Sequence, residues 1–386
     1  MRIPRSDPAG RATPVTAGIG VAFDGAMALL GVWFVTGLYL DGWAHSHLPE
    51  LETFFTPWHG VLYSGFLASA SLLGVAAVRN RRRRGAPWGR TLSPGYGLAL
   101  VGAAVFLAGG VGDMVWHMMF GIEADVEALL SPTHLVLALG AGLILTGPLR
   151  AAWHRPAVEG GRWVDGLPAV LSLAVLLSLL TFFTQYAHPI ARPWAALGNR
   201  PGLPAFPVLA PDPRFQGRGI GTEFVAQGFG LAGLLLQAVI LMGVVLPAVA
   251  RWGASLPRGA LTLVFGLNAL GMGFMRDELP FVPGAVAAGV VADVLVARIG
   301  PAGGRLGRLR VFAFAAPAVY QLFYFAVILA LKGTWWSVHL WMGAIVLSGV
   351  AGWLLSYLVA PPGGAGPPAG GPRRSRGRLV SEARLG

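Results

Sequence analysis

Two short groups of aspartate and histidine in this sequence have the residue types and spacing of a metal site. Each group follows the pattern D-x3-H and then, after a short interval, [ST]-P-x-H. An aspartate and a histidine four residues apart lie on one face of a helix, one turn from each other, so both can point at the same ion. A carboxylate with two imidazoles suits zinc, copper or non-haem iron. The predicted metal ligands are Asp41, His45, His59, Asp113, His117 and His134.

The last histidine of each group follows a hydroxyl residue and a proline. Thr56 and Ser131 are typical helix N-cap residues, and the prolines after them suit the first position of a helix. This places His59 and His134 in the first turn, where the helix dipole and burial both disfavour an added positive charge. We therefore expect neutral imidazoles, the form that binds a metal.

Two other interpretations of these histidines remain open. They could have a structural or interfacial role, or two of them could be axial ligands of a haem, although haem leaves the repeated aspartate without a role. Methionines toward the same end, above all Met114 and Met118, favour copper because a thioether is a soft ligand. Methionine is also a common apolar filler, so this indication is weaker. The sequence assigns no catalytic residue beyond the ligands.

The elements that must position these ligands are membrane helices. Of the 386 residues, 55% are hydrophobic and 12% are charged, with a mean hydropathy of +0.63, which excludes an ordinary water-soluble domain. The absence of cysteine excludes disulfides, thiolate metal sites and iron-sulfur clusters. We predict an all-α polytopic bundle of about ten transmembrane helices. The spans are expected near 16–40, 57–78, 95–120, 132–149, 166–187, 223–249, 259–275, 283–299, 310–331 and 336–358.

Charge predicts the orientation of the bundle. Most basic residues fall on the side that holds both ends of the chain, so the positive-inside rule places both termini in the cytoplasm. The net charge of +12 is therefore attributed to topology and lipid contact, and no nucleic-acid partner is expected. Both ligand groups then lie at the extracytoplasmic end. We expect a multi-pass protein of a bacterial plasma membrane.

The chain divides into four predicted parts. Residues 1–15 form a cytoplasmic segment, and 16–150 form tandem helical hairpins that carry the metal motifs about 72 residues apart. Residues 151–359 complete the bundle and include an extracytoplasmic loop, 188–222. Residues 360–386 form a disordered basic cytoplasmic tail. The repeated motif predicts a duplicated two-helix unit.

Several other polar residues are expected at or near the same end or inside the bundle. Asp24 and Asp293 lie deep in predicted spans, where they either support packing or relay ions or protons. The acidic group Glu123, Asp125 and Glu127 could attract cations, supply a further ligand or be a solvated loop. His339 resembles His59 in placement but has no paired aspartate, and His188 begins the long loop.

The D-x3-H motif with a further histidine resembles the copper site in the C subunit of the copper membrane monooxygenases, the particulate methane and ammonia monooxygenase family. The resemblance covers about residues 36–140. It implies an all-helical membrane subunit that binds copper through an aspartate and two histidines, and that takes part in oxidising small substrates. The second motif of that family begins with asparagine, where this chain has Asp113.

Together these features predict a membrane metalloprotein with a transition-metal site, copper favoured over zinc or iron. The leading hypothesis is a monooxygenase-like oxidoreductase that acts on a small or lipophilic substrate, with a redox or metal-donor protein as a possible partner beside the lipid bilayer. One alternative is a metal-ion transporter or metallochaperone. Another is a zinc-dependent membrane hydrolase.

Overall fold

The computed structural model describes residues 14–48, 56–85, 87, 91–121, 126–155, 162–201, 221–300 and 306–361. Within these ranges the chain is helical, with no strand beyond a single β-bridge between Ala196 and Thr334. This confirms the predicted all-α class for the described part of the chain. The helices are α1 (Pro14–His47), α2 (Pro57–Arg84), α3 (Gly97–Phe120), α4 (Glu127–Leu130), α5 (Pro132–Leu145), α6 (Gly147–Trp153), α7 (Trp163–Phe183), α8 (Thr222–Trp252), α9 (Ala260–Met275), α10 (Val282–Ile299), α11 (Leu306–Val327) and α12 (Val338–Val359).

Eight helices among the described residues are long and apolar enough to cross a membrane, which indicates a multi-pass membrane protein. The remaining two predicted spans take other forms. The fourth is a bent pair, α5 and α6, and the seventh is α9, whose 16 residues extend about 24 Å. The number ten therefore stays a prediction, as does the cytoplasmic placement of both termini. Most of 1–15 and 360–386 lies outside the described residues.

The break between α5 and α6 has a local cause. Pro148 lacks a backbone N–H and its ring clashes with the carbonyl four residues earlier, so the helix cannot continue straight. Thr146 occupies the break, and its hydroxyl donates to the carbonyl of Gly142 at 2.5 Å. The two segments differ in direction by 42°.

Glycines bring the helices of each ligand-bearing hairpin into backbone contact. A Cβ on Gly37 of α1 would lie 2.7 Å from the Cα of Leu62, and one on Gly65 of α2 would lie 2.7 Å from the Cα of Phe34. The second hairpin repeats this feature, since a Cβ on Gly140 of α5 would lie 2.6 Å from the backbone nitrogen of Phe106 in α3. Small residues permit such close crossings in lipid.

The hairpins pack in a fixed order within the bundle. Helix α1 lies against α2 on one side and against α7 and α9 on the other, while α3 pairs with α5. The long core continues through α7, α9, α10 and α11. The outer ends of α1, α2, α3 and α5 are thereby held around one space.

The two aspartates that the sequence places deep in spans both make structural contacts. Asp24 is buried, accepts a hydrogen bond from the Tyr96 hydroxyl at 2.7 Å and forms an ion pair with Arg155. Asp293 of α10 accepts hydrogen bonds from the backbone N–H groups of Leu261 and Thr262, at 3.1 and 2.9 Å, and so caps α9. These contacts favour the packing role over the relay role.

Candidate metal centre

The first ligand group closes at the ends of α1 and α2. Asp41 and His45 lie one turn apart near the end of α1, and His59 is in the first turn of α2. The Oδ2 atom of Asp41 is 3.8 Å from the Nε2 atom of His45 and 3.5 Å from that of His59. We call these three residues the Asp41 triad.

The second ligand group has the same arrangement. Asp113 and His117 lie on α3, and His134 is in the first turn of α5. The Nε2 atom of His117 is 3.5 Å from Oδ2 of Asp113, and the Nε2 atom of His134 is 3.2 Å from Oδ1. The Asp113 side chain is only 2% exposed. These residues form the Asp113 triad.

The predicted N-caps are confirmed, and they also hold the histidine rings. Thr56 accepts from the backbone N–H of His59 at 3.1 Å, and its Oγ1 is 3.0 Å from Nδ1 of the same ring. Ser131 does the same for His134, with 3.4 Å to the backbone nitrogen and 2.9 Å to Nδ1. Holding Nδ1 turns Nε2 toward the aspartate, the arrangement common for metal-bound histidines.

The spacing of the ligand atoms suits a metal ion. In each triad the three atoms lie within 4.8 Å of one another. An ion bonded at about 2.0 to 2.2 Å in tetrahedral geometry separates its ligands by about 3.3 to 3.6 Å, close to the distances above. By contrast, His47 and Asp277 on the same end make a direct contact of 2.7 Å, which leaves no space for an ion.

His117 shows which electron pair faces the site. Its Nδ1 is 3.2 Å from the carbonyl oxygen of Gly121, and a carbonyl can only accept, so Nδ1 carries the hydrogen. In the neutral ring, Nε2 then presents a lone pair to the carboxylate of Asp113. Two sets of lone pairs repel each other unless a cation lies between them. A metal ion between these atoms, or a proton on Nε2, would remove this repulsion, and the triad is one of the groups that could hold a metal ion.

Both triads line one cavity of about 610 Å³. Below the triads its wall is apolar and reaches Phe34 on α1 and Leu145 on α5. At a rise of 1.5 Å per helical residue, Phe34 lies about 10 Å along the axis of α1 from Asp41, and Leu145 lies about 16 Å along α5 from His134. The apolar wall consists of Phe34, Val35, Leu38, Leu62, Phe106, Leu137, Ala138, Ala141, Leu145, Leu179, Phe182 and Phe183.

A polar rim lies at the outer end of the cavity. Arg276, at the end of α9, donates hydrogen bonds to the side-chain oxygen of Gln185 and to Oγ of Ser46, the latter at 3.3 Å. All three residues line the cavity. The cavity therefore has one polar end beside the triads and one apolar end inside the bundle.

Other residues singled out in the sequence lie away from the triads. Met118 is 71% exposed and does not line the cavity, so it supplies no ligand to the triads; the helix that directs Asp113 and His117 inward directs Met118 outward. Met114 is half-buried and does not line the cavity. His339 is exposed and also lies outside the cavity wall. Glu50, Glu52, Glu123 and Asp125 fall outside the described residues.

His188 is buried outside the cavity, in the loop after α7. Its Nδ1 accepts the backbone N–H of Ile190 at 3.2 Å. Burial lowers the pKa of His188 from 6.5 to about 3, so the ring is neutral at ordinary pH. The residue supports the loop.

Two further acids at this end are partnered. Glu278 pairs with Lys332 at 2.7 Å, and Glu223 with Arg200 at 2.8 Å. Such pairs are typical of a solvated rim and supply no further candidate ligand.

The structure adds three contributors that the sequence interpretation missed. Thr133 donates a hydrogen bond to Oδ1 of Asp113 at 2.8 Å. Tyr63 lines the cavity four residues after His59, with its ring centroid 6.3 Å from that of His59. Arg276 forms part of the rim. The spacing of Tyr63 from His59 was the available signal, since residues four apart share a helix face.

No protein-family model, curated protein or solved structure matches this chain. The candidate site therefore rests on its own geometry, which shows a membrane-type helical protein with buried aspartate and histidine groups that could hold metal ions.

Proposed function

We propose that this protein is a membrane metalloenzyme in which the Asp41 and Asp113 triads hold transition-metal ions and oxidise a small apolar molecule. The observation that carries the proposal is the shared cavity, which places both triads beside an apolar chamber. A solvated structural site would not need such a chamber. Pockets of a few hundred Å³ are the usual size for small-molecule sites.

The residues support this chemistry in separate ways. The carboxylates and imidazoles would bind the ions, and the apolar wall would exclude water and hold a hydrocarbon group next to them. A bound redox-active ion would supply electron transfer to dioxygen. The overall reaction would convert R–H, O2, two protons and two electrons from a donor protein or small reductant into R–OH and water.

Copper is the ion that we propose first. Imidazole ligands suit copper as well as zinc and iron, and the resemblance of the D-x3-H motif to the copper membrane monooxygenases favours copper. That family relationship remains a proposal, as does the location of the site at the extracytoplasmic face of a bacterial plasma membrane.

We also propose that the two hairpins arose from one duplicated unit. Both have an aspartate and a histidine one turn apart, a hydroxyl N-cap that holds the second histidine ring, and glycines at the helix crossing. Shared caps, ligands and crossings in the same order support common descent of the two units.

Transport is less well supported by the geometry. An ion path from the triads toward the other face would have to cross the apolar lower half of the cavity, where the lining residues offer no ligand. Asp24 and Asp293, the acids within the spans, are occupied by an ion pair and by a helix cap. The triads therefore fit a fixed site better than a pathway.

The test is an oxygen-incorporation assay on the purified, copper-loaded protein. With a reductant, 18O2 and a panel of small hydrocarbons, we expect a product that carries one 18O atom. Ala138→Phe should fill the chamber, abolish the product and leave copper content unchanged, because Ala138 lines the wall but is not a ligand. Stoichiometric zinc with no oxygenated product would contradict the proposal and favour hydrolysis, and metal flux in proteoliposomes would favour transport.

A further inference from the structure

The two triads share their ligands but differ in how those ligands are held. In the Asp113 triad every ligand has a second contact: Thr133 donates to the carboxylate, Gly121 accepts from His117, and Ser131 contacts His134. Each contact restricts the rotation of a ligand before any ion arrives.

Among the described residues, His59 is the ligand of the Asp41 triad for which such a contact is seen. Thr56 contacts the ring of His59. Asp41 is only 8% exposed, yet its Oδ1 atom has no hydrogen-bond partner within the described part of the chain. His45 makes no hydrogen bond through Nδ1 to any described residue. Within the described part of the chain, two of the three ligands therefore lack a second hydrogen bond that would fix them.

One substitution between the motifs explains part of the difference. In the sequence Ser131-Pro132-Thr133-His134, the residue before the histidine is the hydroxyl donor to the aspartate. In the first motif the same position is Trp58, whose ring packs against Trp43 with centroids 6.0 Å apart. The first motif therefore has an indole where the second has the hydroxyl that donates to the carboxylate.

Exposure differs in the same direction for the aspartate and the first histidine of each triad, whereas His59, at 14%, is less exposed than His134, at 21%. The side chain of His45 is 37% exposed, whereas that of His117, its counterpart, is 11% exposed. Water and exchanging ligands therefore reach the Asp41 triad more easily.

Resting on the metal sites proposed above, we infer that the triads have different tasks: the Asp113 triad holds a tightly bound resident ion, and the Asp41 triad holds a labile ion with an open coordination position. Contacts to the far side of a ligand typically change metal affinity 10- to 100-fold. The free Oδ1 of Asp41 also permits this carboxylate to change from one to two bonds as an exogenous ligand binds or leaves. Exogenous ligand exchange is therefore assigned to the Asp41 triad.

The experiment is a titration of the metal-free, full-length protein in detergent with Co(II), followed by its visible absorption bands. We expect two binding steps separated by at least about tenfold in affinity. Asp113→Ala should remove the tight step and Asp41→Ala the weak one. Azide added to the two-ion form should perturb the bands of the weak step.

Thr133 provides the sharpest variant because it acts through Asp113. Thr133→Val should weaken the tight step about 10- to 100-fold and leave the weak step unchanged in the same sample. Thr133→Ser keeps the hydroxyl and should restore the tight step, which a role in packing alone would not predict. Trp58→Thr should tighten the weak step.

The results of the titration distinguish failure of this division of tasks from failure of the proposed metal sites. Two equal steps, or loss of the tight step in Asp41→Ala, would overturn the division of tasks while leaving metal binding intact. Absence of any Co(II) binding to the wild-type protein would overturn the metal sites themselves.

Discussion

Replacing Gly65 by alanine tests whether the crossing of α1 and α2 sets the geometry of the Asp41 triad. The new Cβ would lie 2.7 Å from the Cα and 2.9 Å from the nitrogen of Phe34, both backbone atoms that cannot turn aside. Ordinary contact begins at 3.4 Å, so the helices must separate by about 0.7 Å or more. Overpacking of this kind costs about 1–3 kcal/mol of unfolding free energy.

The separation acts on the metal site because His59 is on α2 and Asp41 is on α1. Their ligand atoms are 3.5 Å apart, close to the separation that one ion requires. Moving His59 away from Asp41 by a comparable distance would lengthen or break its bond to the metal ion. We expect at least a tenfold loss of Co(II) affinity at the Asp41 triad, with the Asp113 triad unchanged.

Two further glycines provide the controls. Gly74 is on the same helix with open space around its position, so Gly74→Ala should bind Co(II) as the wild type does. Gly140→Ala would place a Cβ 2.6 Å from the backbone nitrogen of Phe106 and should weaken the Asp113 triad instead. Wild-type affinity of both triads in a folded Gly65→Ala protein would refute the link between the helix crossing and the site.

Three other substitutions test the structural roles. Asp293→Ala removes the cap of α9 and should cost about 1–2 kcal/mol in chemical unfolding without loss of bound metal; lost metal would contradict this role. Asp24→Asn breaks the pair with Arg155, which is one-third exposed, and should cost about 1–3 kcal/mol with no effect on metal flux; a changed flux would support a relay. The folded pKa of His188, about 3, lies below its usual 6.5, so the unfolded chain binds more protons below pH 6.5 and stability decreases as the pH is lowered below about 6.5. The loss of unfolding free energy should reach about 2 kcal/mol at pH 5 in the wild type and be absent in His188→Asn. The same dependence of unfolding on pH in both proteins would contradict this.

The sequence was sufficient to predict which residues come together in the triads because their spacing and caps depend on local geometry. Asp41 and His45 are one turn apart in any helix, and Thr56-Pro57 predicts a cap wherever the helix begins. Apolar runs likewise predicted the membrane helices. These features follow from near neighbours in the chain, and the structure shows the two triads and the two caps as expected.

Features that depend on distant residues could not be obtained in the same way. The partner of Asp24 is Arg155, far along the chain, and Asp293 caps a helix that begins at Ala260. Nothing local to either aspartate indicates these contacts.

The most direct test of the two metal sites is equilibrium dialysis of the full-length protein against free Co(II). The Co(II) concentration should exceed the dissociation constants of both wild-type sites. We predict two ions per chain for the wild type, one for His59→Ala, one for His134→Ala and none for the double variant, because each triad loses a ligand. His339→Ala, an exposed histidine outside the cavity, should retain two. Two ions retained by the double variant would contradict the account.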